Sequence, residues 1–289
     1  MRTGRAQTAM AALLGAVLLA TAAGCGGGET YVTEERLDHG LVVSLDGVGG
    51  YNWGTRWLRK GLDEAGVEAA ICIYDWSKGP GGMFVGDLMD QSRNRAVAQD
   101  LAGTVATYVA AMPERPVTLI GHSGGAAVVV WALEAMPERC RVDRVILLAP
   151  ALTPTYDLSP ALKRVGERMY VMYSPADVGL MAAGTFAFGT MDGEHSVSAG
   201  LKGFEFPADA ADRAQYTKVR QVPWTLDLAK SGHLGGHMGW TTTRFAREFL
   251  GPILLGQRDP GRPMAVVRPS ATAARADGTK TDTHTGNTP

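Results

Sequence analysis

From Leu41 onward, short apolar runs alternate with longer amphipathic ones. Leu41–Leu45 (LVVSL) is apolar and β-rich and runs into the glycine-rich DGVGG. Trp53–Ala65 reads as a helix, with Trp57, Leu58, Leu62 and Ala65 at helical spacing and Gly66 as a stop signal. VEAAICIYDW, ending at Trp76, is a strand with little charge, as a strand covered on both faces should be. Gln91–Met112 is a long helix in which Val97, Leu101, Val105 and Val109 recur every fourth residue; Pro113 and Pro116 close it. The strand VTLIG, the apolar helix Gly125–Met136 and the strand RVILLAP follow. Beyond them come a short helix over Leu158–Gly166, the strand RMYVMYS, a mixed edge-like strand YTKVRQVPW, and a helix over Thr242–Leu250. Strands separated by helices predict an α/β domain over residues 40–256, a mostly parallel sheet with helices on both faces.

The ends read differently. Arg2 and Arg5 precede the apolar run Met10–Ala20, which is short for a membrane span, and small residues lead to Cys25. Residues 1–24 thus read as an export signal resembling the bacterial lipobox. That resemblance implies lipidation of Cys25 and attachment of the exported protein to a membrane, with residues 25–39 as a flexible tether. Removing residues 1–24 lowers lysine plus arginine from 28 to 26 against 29 acids. Cys72 and Cys140 read as small buried hydrophobes, with a disulfide between them as the alternative. Residues 257–289 lack apolar periodicity and read as a disordered tail.

The 45% hydrophobic and 20% charged composition suits a globular chain, and no basic block argues for nucleic acid. With 37 glycines in 289 residues, the pattern Gly121-His122-Ser123-Gly124-Gly125 carries little weight alone. Its setting between a strand and a helix is what a nucleophile elbow requires. There a serine in a strained turn stands clear of the sheet edge, and glycine two residues to either side removes side-chain clashes.

On this motif and its setting, the chain from about residue 40 to 256 resembles the α/β-hydrolase family. The resemblance implies a serine nucleophile, Ser123, followed along the chain by an acid and a histidine. The acid is expected after RMYVMYS, at Asp177, with Asp157 and Asp192 as competitors. The histidine is expected in SGHLGGHMGW: His237, beside the helix start, is preferred, and His233 is the alternative. The oxyanion donors implied are the amides of Gly124 and Val48. Val48 follows Asp46-Gly47, where the family often has histidine-glycine. His122 is expected to pack or to hydrogen-bond, and His195 to lie on a surface loop. No metal or cofactor is called for. The interval between RVILLAP and RMYVMYS is too short for a large lid. Met83, Phe84, Met89, Met181, Phe186 and Phe188 make the neighbouring loops apolar, as a pocket rim or as loop packing. The implied activity is hydrolysis of a carboxylic ester, thioester or related acyl substrate through an acyl-enzyme. A peptidase or acyltransferase and a non-catalytic envelope binding protein are the alternatives.

Overall fold

The computed structural model describes residues 30–49, 51–79, 84–177, 189–206 and 212–264. The leader, Cys25, the chain beyond residue 264, and Met83, Met181, Phe186 and Phe188 lie outside these residues. Among the described residues the strands are β1 (Leu41–Leu45), β2 (Ala70–Ile73), β3 (Val117–His122), β4 (Val142–Leu148), β5 (Val165–Tyr173), β6 (Val219–Pro223) and β7 (Arg262–Pro263). They form one sheet in the order β2-β1-β3-β4-β5-β6-β7, parallel throughout except for the antiparallel edge strand β7. This is the α/β-hydrolase fold. Only residues 149–164 separate β4 from β5, and no large lid is inserted there.

The strands are apolar at consecutive positions because both faces are buried. In β1, Leu41, Val43 and Leu45 pack with the helices Gln91–Ala111 and Gly124–Ala135, while Val42 packs on the opposite face with the helix Trp53–Glu64 and the C-terminal helix. The C-terminal helix, expected as one segment over Thr242–Leu250, runs through Thr243–Phe245, a π-turn over Ala246–Leu250, and Gly251–Leu254. Trp57, expected on the buried side of its helix, is exposed; Leu58 and Leu62 carry the buried face.

Three expectations are corrected. The tether does not extend to residue 39: Glu34–His39 is a helix capped by Thr33, and its Leu37 is fully buried. Tyr108 Oη donates to the Leu37 carbonyl at 2.6 Å, and Arg36 pairs with Asp63. Cys72 is not a plain hydrophobe but is disulfide-bonded, and Cys140 is free and buried, so the two do not pair with each other. The tail does not leave the domain at Gly256. Arg262 and Pro263 pair with Gln221 and Arg220 of β6, Tyr170 Oη donates to Asp259 at 2.9 Å, and Met264 is buried.

These contacts lie along β6 and at Tyr170 of β5. A chain ending after Gly256 should therefore lose about 2 kcal/mol, from one buried methionine and a few hydrogen bonds. That corresponds to a melting temperature lower by roughly 4–8 °C for a domain of this size, with activity retained. Unchanged melting would show that Asp259–Met264 contribute nothing to the fold.

Candidate active site

Ser123 follows β3 directly and begins the helix Gly124–Ala135. Its backbone takes φ 53° and ψ −118°, a region that costs a non-glycine residue about 1–3 kcal/mol. The surrounding structure enforces it: Ser123 N–H donates to the Leu148 carbonyl at 2.8 Å, and its own carbonyl accepts from Ala151 at 3.1 Å. The flanking glycines are sterically required. A Cβ on Gly121 would stand 2.5 Å from Ala126 Cα, and one on Gly125 would run into the Asp46 carbonyl.

Asp177 sits in the turn after β5, its amide bonded to the Ser174 carbonyl at 3.1 Å. Its Oδ2 lies 2.6 Å from His237 Nδ1, and both residues are buried. Ser174 Oγ donates to the Gly235 carbonyl at 2.7 Å, joining the acid turn to the loop that carries His237. Burial acts first to lower the His237 pKa; Asp177 pulls it back, and the net direction is below the ordinary imidazole value. Among the described residues no hydrogen bond joins Ser123 Oγ to the His237 ring. Such bonds often tighten only when substrate binds. The link between the two is His122, whose ring lies 4.6 Å, centroid to centroid, from that of His237.

The other candidates are engaged elsewhere. His233 is fully buried, with Nδ1 accepting the Gly235 N–H at 2.9 Å and its ring edge-on to Trp240 at 3.9 Å. Burial pushes its pKa down to about 4, so it is a neutral core residue. Asp157 Oδ1 accepts from the Ser159 amide at 2.9 Å and from Tyr216 Oη at 3.0 Å. Asp192 Oδ1 accepts from the Thr153 amide at 3.0 Å. His195 is exposed.

The loop after β1 is held by two carboxylates. Asp46 Oδ1 accepts from Gly47 N–H at 2.8 Å, and Oδ2 from Gly54 N–H at 3.0 Å, at the start of the helix Trp53–Glu64. Asp87, fully buried, accepts from Gly49 N–H at 3.1 Å and from Lys78 N–H at 2.8 Å. The amides on both sides of Val48 are thus occupied, while that of Val48 takes no hydrogen-bond partner among the described residues. Neither does that of Gly124, which as the first helical amide has no carbonyl one turn back. Val48 and Gly124 are neighbours: a Cβ on Gly124 would meet Val48 Cγ1 at 2.9 Å. The positioning roles of Asp46 and Asp87 were not read from the sequence. The visible signal was a carboxylate in each of two glycine-rich, otherwise apolar segments. Tyr51, Trp53, Trp57 and Met89 are exposed, with the Tyr51 and Trp53 rings 4.9 Å apart.

A family model described as serine aminopeptidase, S33, matches residues 38–186. No curated protein matches the sequence. Among solved structures, lipase B of Aspergillus fumigatus superposes with a TM-score of 0.51 at 14% identity, over 84% of this chain and 58% of the lipase. The chain thus spans little more than half of that protein. A dienelactone hydrolase-like promiscuous phosphotriesterase from metagenomic libraries gives a TM-score of 0.45 at 16% identity, over 75% of this chain and 86% of that one. A Trichoderma reesei cutinase gives 0.35 at 12%, over 85% and 89%.

Proposed function

Because the chain belongs to the serine aminopeptidase S33 family of hydrolases, we propose that it cleaves carboxylic esters, thioesters or related acyl substrates through an acyl-enzyme on Ser123. The observation that carries this reading is a serine held at φ 53° on a strand-to-helix turn, at the same sheet edge as a buried His237–Asp177 pair 2.6 Å apart. Asp177 fixes the proton on Nδ1 and leaves Nε2 free to accept the Ser123 hydroxyl proton as Oγ attacks the acyl carbon. The Val48 and Gly124 amides donate to the developing oxyanion. His237 then returns the proton to the departing alcohol or thiol. Water repeats the sequence on the acyl-enzyme, releasing the acid and restoring the serine.

The test is reaction with a fluorophosphonate, in which Ser123 Oγ bonds to phosphorus and fluoride leaves, alongside turnover of p-nitrophenyl esters of rising chain length. Absence of both would favour the non-catalytic binding protein. The family description favours a peptidase as the second reading, which amino-acid p-nitroanilides would reveal.

The basic leader, its apolar run and Cys25 after small residues support export and attachment to a membrane by a lipid on Cys25; because the chain has three cysteines and Cys140 is free, the lipidated form is one in which Cys72 is not in a disulfide. Cys25→Ser should release the protein from membranes or leave it unprocessed. Retention of a lipid-labelled mature form in that variant would refute the anchor.

A further inference from the structure

His122, the residue before the nucleophile, is 2% exposed, and each of its ring nitrogens faces an acceptor. Nδ1 lies 3.4 Å from Asp46 Oδ1, and Nε2 lies 3.2 Å from the main-chain oxygen of His237. A neutral imidazole has one donor and one acceptor. Either neutral tautomer would therefore set a lone pair against an oxygen at one of these contacts. The carboxyl is poorly placed to supply the missing proton. Asp46 Oδ1 already accepts from Gly47 N–H at 2.8 Å, and Oδ2 from Gly54 N–H at 3.0 Å and Thr55 N–H at 3.4 Å. An O–H on Oδ2 would displace one of its two amides, and an O–H on Oδ1 would share that oxygen with the Gly47 N–H, on a carboxyl that stays below the ordinary carboxylate value.

We infer that His122 is held doubly protonated, as an imidazolium that donates to the Asp46 carboxylate through Nδ1 and to the His237 carbonyl through Nε2. It is a positioning residue. One ring ties together the elbow on β3, the loop after β1 that carries Val48, and the loop that carries His237. The electrostatics agree. Burial pushes the Asp46 carboxyl up, but the His122 ring and the amides of Gly47 and Thr55 outweigh it, and Asp46 stays below the ordinary carboxylate value.

The catalytic consequence rests on the serine-hydrolase reading. The ionisable groups facing His237 are Asp177, His122 and Asp46. A fixed positive charge 4.6 Å from the His237 ring disfavours its protonation. It acts in the same direction as burial and against the two aspartates. His237 then stays neutral, and able to take the serine proton, in more acidic solution than it otherwise would.

The first experiment needs no activity: nitrogen-15 NMR of the histidine side chains in the wild-type protein. The His122 signals are assigned by their loss in His122→Gln. Both ring nitrogens should show the shift of a protonated nitrogen from pH 6 to 8, and Asp46→Asn should abolish that pattern. One protonated and one unprotonated His122 nitrogen in the wild type would overturn the proposal. The second experiment is the pH profile of kcat/KM for an ester. Removing the charge raises the His237 pKa, so the acid limb of His122→Gln should move to higher pH. Its activity relative to wild type should fall about three- to tenfold between the plateau and the acid limb, as expected for a like charge at this range. An unmoved limb would overturn the electrostatic role. If ester turnover does not depend on Ser123, the catalytic reading fails while the NMR result still decides the state of His122.

Discussion

Ser123→Ala is expected to lower ester turnover by about four to six orders of magnitude, the scale of loss on removing the nucleophile of a serine triad. In the proposed mechanism the hydroxyl supplies the covalent step. Substrate binding should change little, because the Val48 and Gly124 amides and the side chains around residue 123 remain. The fold should survive, since alanine is no larger than serine and keeps the hydrogen bonds of the residue 123 amide and carbonyl to Leu148 and Ala151. Fluorophosphonate labelling should vanish with turnover. Ser123→Gly sharpens the test. It should be equally inactive, yet at least as stable as Ser123→Ala, because glycine takes φ 53° without the strain a Cβ imposes there. The measurement is paired turnover and thermal melting of the three proteins. Full turnover in a folded Ser123→Ala would mean that the strained serine is only a turn residue.

The parts of this architecture that were legible in the sequence are those with local causes. Leu41, Val42 and Val43 are all apolar because neighbouring residues point to opposite, equally buried faces, and that run announces a central parallel strand. Gly121 and Gly125 are legible because the clash each avoids lies within the elbow or against the adjacent strand. The helix Glu34–His39 was hidden because Leu37 is its one buried residue, too little for any period to show. Strand β7 is two residues long and is stabilised by pairing with β6, about forty positions earlier in the chain.

The same limit applies around Ser123. Asp46 read as a departure from a family pattern. Its meaning lies in His122, 76 positions away, and in the helix start at Gly54 and Thr55. Asp87 reaches Gly49 across 38 positions. Paired this way, the two carboxylates occupy the amides that flank Val48. A polar residue whose partner is distant in the chain leaves no periodic trace, so its role becomes visible only once the sheet brings the loops together.

The largest remaining effect should separate the two histidines. In the proposed mechanism His237→Ala removes the group that accepts and returns the proton, and turnover should fall about as far as in Ser123→Ala, since a nucleophile and its base act as one unit. His233→Phe should retain most activity. Its ring lies against Trp240 and Phe245, an aromatic setting, and the cost falls on stability through the larger ring and the lost Gly235 hydrogen bond. Asp177→Asn tests the pair from the other side. An asparagine can accept from Nδ1–H or donate to a bare Nδ1, so it no longer dictates which ring nitrogen carries the proton. In the wrong tautomer Nε2 carries the hydrogen and cannot take one from serine, which predicts a loss of about ten-thousandfold in kcat. Asp157→Asn and Asp192→Asn should stay near wild-type turnover, because those carboxylates cap loops through the Ser159 and Thr153 amides. Turnover at neutral pH, with folding checked by circular dichroism, decides the ranking. An inactive, folded His233→Phe beside an active His237→Ala would reassign the base and leave Asp177 without its catalytic partner.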